Sequence, residues 1–460
     1  MKTELVLLTV CCLLAAVSAQ SWVGPYQLSS DTFSDINPSG CKEFLPVDVT
    51  VLVWQSNRNG NWDVYSRFDS VSDGNRWGPE KAVSLDSADD VNPVVACMND
   101  WRENPSYWCV WERRESQLIG SIWASYVTFP YNWGEPVRLG RTIHTDGDSA
   151  QPSIIVTGGM AMAVWRNHDT SGTYINYACN YDGLFWWTGP EVAVTGDVRH
   201  ARLGRLRGGH PNDVPLLVWE QAGDIFYSTY TDPVWTSPEQ VAPSAFEDRN
   251  PDVVSDDRDD WCGTYVVWES MRDGDTAIYI TDRSSFSIGQ RVCNASGAGR
   301  SFSPAGADVA FTGLDDWRCI VGFVSDRNGN PDIYSNFWYS GDDWVDLDSA
   351  NDLAPVVTCV GNGSGKQMAW VLWQSDRTCN WDIFGSFMYN SGVQETPNAE
   401  VRTTAAATVV RRLPSGAVVF DATGRRVVNP RPGVYFVRSE PSAAGREPSA
   451  FAVRKVVVQR

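Results

Sequence analysis

An aromatic residue returns along this chain at a nearly fixed interval, at Trp54, Trp111, Trp165, Trp219, Trp268, Phe323 and Trp373, with spacings of 49 to 57 residues. Each closes a β-rich apolar segment, usually as Val-Trp. An Asn-Pro-like pair comes before it, at Asn37-Pro38, Asn92-Pro93, Gln151-Pro152, Asn250-Pro251, Ser303-Pro304 and Ala354-Pro355. After it comes a third run, such as Asp63-Val64-Tyr65, Asp224-Ile225-Phe226, Asp332-Ile333-Tyr334 and Asp382-Ile383-Phe384. A Trp-marked fourth run follows, at Trp77-Gly78-Pro79-Glu80, Trp133-Gly134-Glu135-Pro136, Trp187, Trp235 and Trp344. Four short strands per unit at this period are the sequence form of a β-propeller, one unit per blade.

Seven units fit between residues 20 and about 395, so the expectation is an all-β, seven-bladed propeller over residues 20–392. The unit at Trp373 lacks a fourth strand, because a Pro/Ala/Thr-rich linker begins at Val393. Trp22-Val23-Gly24-Pro25 carries the missing pattern. The N-terminal strand should therefore complete the last blade, which pairs both edges and leaves none to aggregate. The short unit around Trp219, with its clipped Glu220-Gln221-Ala222-Gly223 hairpin, is where the count is most open to error. Aromatics recurring once per blade at one strand position are what packs blade against blade. We read the Trp series as core.

Composition excludes some functions. The chain carries 22 Trp and 43% hydrophobic residues, ample for packed cores. Its net charge of −19 excludes a nucleic-acid partner, which needs a basic footprint. Residues 401–460 depart from this, with eleven Arg or Lys against Asp421, Glu440 and Glu447. A basic tail on an acidic body marks a domain boundary.

The first residues read as an address. Met1-Lys2, an apolar run from Leu5 to Val17, and then Ser18-Ala19 describe a secretory signal peptide over residues 1–19. The run is too short to span a bilayer, which takes about 20 residues, and no other stretch approaches that length, so no transmembrane segment is expected. Nine cysteines lie beyond it, an odd number, so at least one thiol is free or intermolecular. Cys97 and Cys109 flank one hairpin and are the best candidates for a disulfide; the alternative is that several cysteines are small buried hydrophobes. No C-x-x-C pair remains and only four His occur, so no metal or other cofactor is expected.

The most specific internal motif joins second and third strands. It reads Ser56-Asn57-Arg58-Asn59-Gly60-Asn61-Trp62-Asp63-Val64-Tyr65 in the first blade, and Ser325-Asp326-Arg327-Asn328-Gly329-Asn330-Pro331-Asp332-Ile333-Tyr334 in the sixth. Ser375-Asp376-Arg377 and Ser270-Met271-Arg272 open variants of it. Asn-Gly supplies the positive φ of a tight turn. The Arg should reach back to the Asp that opens the third strand. This motif resembles the repeat of TolB-type propellers over about ten residues in four blades, but the Ser-Pro-Asp-Gly turn of that family is missing. The Ser-x-Asp-x-Gly-x-x-Trp order of a sialidase Asp-box is also absent. Arg within each motif would oppose a bound calcium ion.

Two functional classes remain: a non-catalytic module binding a protein or a glycan, and a secreted glycoside hydrolase similar to sialidase-like propellers. His144, His168, His200 and His210 stand out of register with any Ser or Cys elbow, and no Gly-x-Ser-x-Gly occurs. An active site should break the repeat. The clearest break is a basic island in the fourth blade, Arg199-His200 through Arg205-Leu206-Arg207 and His210. Since no acid pair clearly breaks it, the binding module is the favoured class. Loops between second and third strands share one face with the loops between blades. Arg58, Asn61, Arg327, Asn330 and Arg377 from the former, with Asp89, Asp90, Asp348 and Asp352 from the latter, are the candidate binding residues on that face. The competing reading is that the arginines are consumed by pairing within the hairpins.

After a linker over residues 393–408, residues 409–460 form a small basic β module. Val418-Val419-Phe420-Asp421-Ala422-Thr423-Gly424-Arg425 is a strand and tight turn, Gly433-Val434-Tyr435-Phe436-Val437-Arg438 a second strand, and Lys455-Val456-Val457-Val458 a third block near the end. The three blocks resemble the type A C-terminal sorting domain of the bacterial type IX secretion system, with Asp421, Gly424, Arg425, Gly433, Tyr435 and Lys455 as its signature. The resemblance implies a sandwich-like fold, the type IX machinery as partner, and passage through the periplasm to the cell surface or the medium.

Overall fold

The computed structural model describes residues 22–43, 49–69, 77–98, 106–128, 132–157, 160–181, 187–206, 213–254, 264–281, 286–293, 300–310, 317–337, 342–361 and 367–390, and four short strands within 408–458. The chain divides into two units, Met1–Val393 and Gln394–Arg460. Among the described residues no helix is long and apolar enough to cross a membrane.

The first unit is a propeller of seven antiparallel sheets. The first blade is built from Asp35–Glu43, Val49–Ser56, Asp63–Asp69 and Lys81–Ala82, paired in that order from the axis outward. Innermost strands of the next five blades are Asp89–Met98, Ser153–Thr157, Val198–Leu206, Asp248–Val254 and Ser301–Ala310. The seventh blade joins Asp352–Gly361, Gln367–Ser375 and Asp382–Asn390 to Val23–Gln27 from the start of the chain. That last pairing closes the ring, with Val23 opposite Phe387 and Gln27 opposite Phe384. The fourth blade holds its place in the count. Its clipped hairpin is a two-residue turn with positive φ at Ala222 and Gly223, so Gln221 pairs directly with Asp224.

The repeating aromatics are the core. Trp54, Trp111, Trp165, Trp219, Trp268, Phe323 and Trp373 are all fully buried. Clusters cross the blade boundaries: Trp373 packs with Ile320 and Ile333 of the sixth blade, and Trp268 with Leu216 and Ile225 of the fourth. Gly140 lets the second blade meet the third, since a Cβ there would lie 2.5 Å from the Trp165 ring.

The expected disulfide is not formed. Cys97 and Cys109 are both buried thiols. In their ladder Val95 stands opposite Cys109 and Tyr107 opposite Cys97, so the two sulfurs are diagonal neighbours in an apolar cluster. Diagonal positions are about 7–8 Å apart, beyond the reach of a disulfide.

In the second unit, Thr408–Val410, Val453–Val458, Gly433–Arg438 and Val418–Phe420 form one four-stranded sheet in that order. Two expected sorting blocks are neighbours in it, with Tyr435 opposite Val456 and Phe436 opposite Lys455. Asp421, Gly424 and Arg425 lie outside the described residues.

Candidate binding site at the central channel

The innermost strands surround a channel of about 570 Å³. Its wall is made by a backbone feature that recurs in every blade. Asn37, Asn92, Gln151, His200, Asn250, Ser303 and Ala354 all have positive φ, between 46° and 53°. In six blades the ladder slips here, as between Ile36 and Ser39 or Arg199 and Arg202, and in the third it begins just beyond. Left-handed backbone at non-glycine residues is strained and often signals one functional site. Here it appears in all seven blades, so it belongs to the architecture. The Pro that follows six of these residues has no N–H to give the ladder.

The bulge turns its amide toward the preceding blade, where the residue after the repeat aromatic receives it. Asn37 N donates to Gln374 Oε1 at 2.9 Å and Asn92 N to Gln55 Oε1 at 2.8 Å. Asn250 N donates to Glu220 Oε2 at 3.3 Å, and Ser303 N to Glu269 Oε1 at 2.8 Å. Ala150 N donates to Glu112 Oε2 at 3.1 Å. In the third blade the same position is Arg166, which donates to the Val198 carbonyl at 3.0 Å. Only the Val324 position of the sixth blade has no polar side chain to offer. Six of these seven positions form a belt that bonds blade to blade around the axis. The sequence reading passed over it, although a polar residue after each buried aromatic was visible as a signal.

Three belt residues are carboxylates, each with further polar partners. Glu269 also accepts from Asn250 Nδ2 at 2.8 Å and Arg249 Nε at 3.1 Å. Glu112 lies 3.1 Å from His144 Nε2. Glu220 Oε2 lies 3.0 Å from His200 Nδ1. Burial alone would raise the Glu220 carboxyl, but the bonds from His200 and the Asn250 amide outweigh it and hold the group below its ordinary range.

The basic island meets this channel. His200 and Arg202 both line it, while Arg205 donates to the Val156 carbonyl at 2.8 Å. Arg207 and His210 lie outside the described residues.

On the hairpin face, the arginines take a different partner from the one expected. Arg58, Arg272 and Arg377 pair with Asp35, Asp248 and Asp352, which open the first strand rather than the third. Arg113 does the same with Asp90. The Ser of the motif directs them: Arg58 Nε, Arg272 Nε, Arg327 Nε and Arg377 Nε donate to Ser56, Ser270, Ser325 and Ser375, each at 2.9 Å. Ser56 stands opposite Asp35 in the ladder and Ser375 opposite Asp352, so the guanidinium falls on the first-strand carboxylate. Arg327 pairs with Asp342 and lies 4.3 Å over the Tyr334 ring. The third-strand Asp63 is taken by Asn59 and Asn61, and Asp332 by Asn328 and Asn330.

The remaining face candidates join hairpins to loops. Asn61 donates to the carbonyls of Asp86 and Ala88, and Asn330 to those of Asp348 and Ala350. Asp89 receives the Trp62 amide at 2.9 Å, and Asp348 receives the Ala350 amide at 2.6 Å. Asp35, Asp90 and Asp352 are fully buried. Burial raises all three carboxyls, Asp35 and Asp352 to about 6, against the pull of their arginines. The structure thus ties the nine predicted face residues into hairpin clasps, and it brings His200 and Arg202 of the fourth-blade island to the axis.

Fold and site together define a seven-bladed β-propeller with a polar axial channel. No protein-family model matches the chain, and no curated protein does. Among solved structures, AofleA from Arthrobotrys oligospora is similar at a TM-score of 0.40 and 8% identity, over 72% of this chain and 92% of that one. The α-L-arabinofuranosidase PaAbf62A from Podospora anserina gives 0.29 and 13%, over 53% and 90%. Zg3597, a family 117 glycoside hydrolase from Zobellia galactanivorans, gives 0.29 and 13%, over 50% and 79%. Likeness at this level extends to neither family nor activity.

Proposed function

We propose that this protein is an exported, non-catalytic binding propeller that receives a protein or glycan ligand at its central channel, and that its C-terminal tail is a type IX sorting signal. The observation that carries the non-catalytic part is the state of the belt carboxylates behind the channel wall. A glycosidase needs a general acid held protonated near neutral pH by a raised pKa. Glu220 is held below its ordinary range, and Glu112 and Glu269 accept backbone amides of the next blade. Asp35 and Asp352, which burial raises to about 6, are covered by Arg58 and Arg377 in the hairpin clasps. The channel volume suits one or two sugar rings.

The test has two arms. On a glycan array the propeller should bind, while chromogenic glycosides should stay intact; turnover would replace this reading with the hydrolase. In a host with type IX secretion, deleting residues 409–460 should leave the propeller in the periplasm. If the truncated chain still reaches the medium, the tail is not a sorting signal.

A further inference from the structure

We infer that the channel takes a saccharide bearing one carboxylate, such as a uronic acid, held by Arg202 with His200 beside it. The inference rests on the binding-module reading and names the ligand class of that site. Two residues beyond the left-handed position, the seven blades present Ser39, Val94, Ser153, Arg202, Asp252, Ala305 and Val356 to the channel. Six are small or of modest size. Only the fourth blade offers a long cation. Ser39 and Ser153 have structural work there, accepting the Val95 and Leu203 amides of their neighbours.

Arg202 differs from the arginines of the hairpin clasps. Those face carboxylates at salt-bridge distance, as do Arg166 and Arg249 of the belt region. Among the described residues Arg202 makes a single hydrogen bond, from one guanidinium nitrogen to the Ala201 carbonyl at 3.1 Å. Asp252, its counterpart on the next blade, is engaged in an interaction of its own. A half-buried guanidinium with most of its donors uncommitted, in an otherwise acidic chain, is a ready fork for a carboxylate. With Nδ1 donating to Glu220, His200 keeps Nε2 for a ligand at the same wall.

The rest of the wall suits hydroxyl groups. Asn37 donates its side-chain amide to Gln55 and Asn92, and Asn250 donates to Glu269, which leaves their side-chain carbonyl oxygens as acceptors. A strongly acidic body repels a polyanion, so a single carboxylate on a hydroxyl-rich ring fits both features.

Calorimetric titration of the full chain with glucuronate and galacturonate, against glucose and galactose, tests this. The uronates should bind at least about tenfold more tightly than the neutral sugars, as a charge-assisted fork implies. Arg202→Gln should erase that preference without moving the melting temperature, and Arg202→Lys should keep part of it. Equal binding of acidic and neutral sugars, or a preference that survives Arg202→Gln, overturns the carboxylate assignment while the binding-module reading stands. Binding of no sugar at all also overturns the assignment. Turnover of chromogenic glycosides by the same preparation would overturn the binding-module reading instead.

Discussion

Arg377→Met should lower stability by about 3–5 kcal/mol at neutral pH, the usual cost of stripping one partner from buried charges. Arg377 lies against Asp346, Asp348 and Asp352, with its guanidinium 4.4 Å over the Phe384 ring. Asp346 and Asp352 are buried, so without the cation they become uncompensated. Methionine keeps most of the volume and the contact with the ring, which isolates the charge. The pH dependence gives the sign. Burial already raises the Asp352 carboxyl from 3.8 to about 6, and it raises Asp346 as well. A carboxyl with a raised native pKa binds protons more readily folded than unfolded, so its contribution to stability is lost as pH climbs through that window. Removing Arg377 raises these carboxyls further and steepens the loss. The gap between wild type and variant, read by denaturant unfolding, should therefore be small near about pH 4.5 and large near about pH 7.5. A gap of equal size at both would mean that packing, not charge, was removed.

Much of this fold was legible because its constraint is periodic. Each Val-Trp position is buried by the same geometry, so the repeat aromatics revealed the blades, and Trp22-Val23-Gly24-Pro25 revealed the closure. The belt was harder to see because its members differ chemically. Gln55, Glu112, Arg166, Glu220, Glu269, Val324 and Gln374 share a position but no single residue type. For Gln55, Glu112, Glu220, Glu269 and Gln374 the partner is a backbone amide, which leaves no trace in sequence. The arginine clasps were misdirected for a related reason. Spacing from Arg58 to Asp63 suggests a contact within the hairpin, whereas the ladder sets Asp35 opposite Ser56, 21 positions upstream. The fourth-blade island was recognisable because it breaks the repeat. That His200 and Arg202 face the axis, while Arg205 is bonded to the neighbouring third blade, depends on the slip between Arg199 and Arg202 and cannot be counted along the chain.

A chain beginning at residue 30 should lose its ring. Val23–Gln27 is the outer strand of the seventh blade, and the residues beside it reach further. Leu28 N donates to the Ile383 carbonyl at 2.7 Å, and Ile383 N donates to Ser29 Oγ at 2.9 Å. Trp22 Nε1 reaches Ser335 of the sixth blade at 3.0 Å. Leu28 is buried among Leu52 and Trp54 of the first blade and Trp370 and Leu372 of the seventh. One short segment thus touches three blades, and the burial of Leu28 alone is worth about 2–5 kcal/mol. Its removal also bares the edge of Asp382–Asn390, a ready template for another chain. The truncated protein should melt at a clearly lower temperature and associate as its concentration rises. A synthetic peptide of residues 20–30 added in trans should restore the monomer and most of the lost stability, because it refills the edge with the same register. If the truncated chain stays monomeric and melts where the full chain does, the first and seventh blades hold each other without the strand.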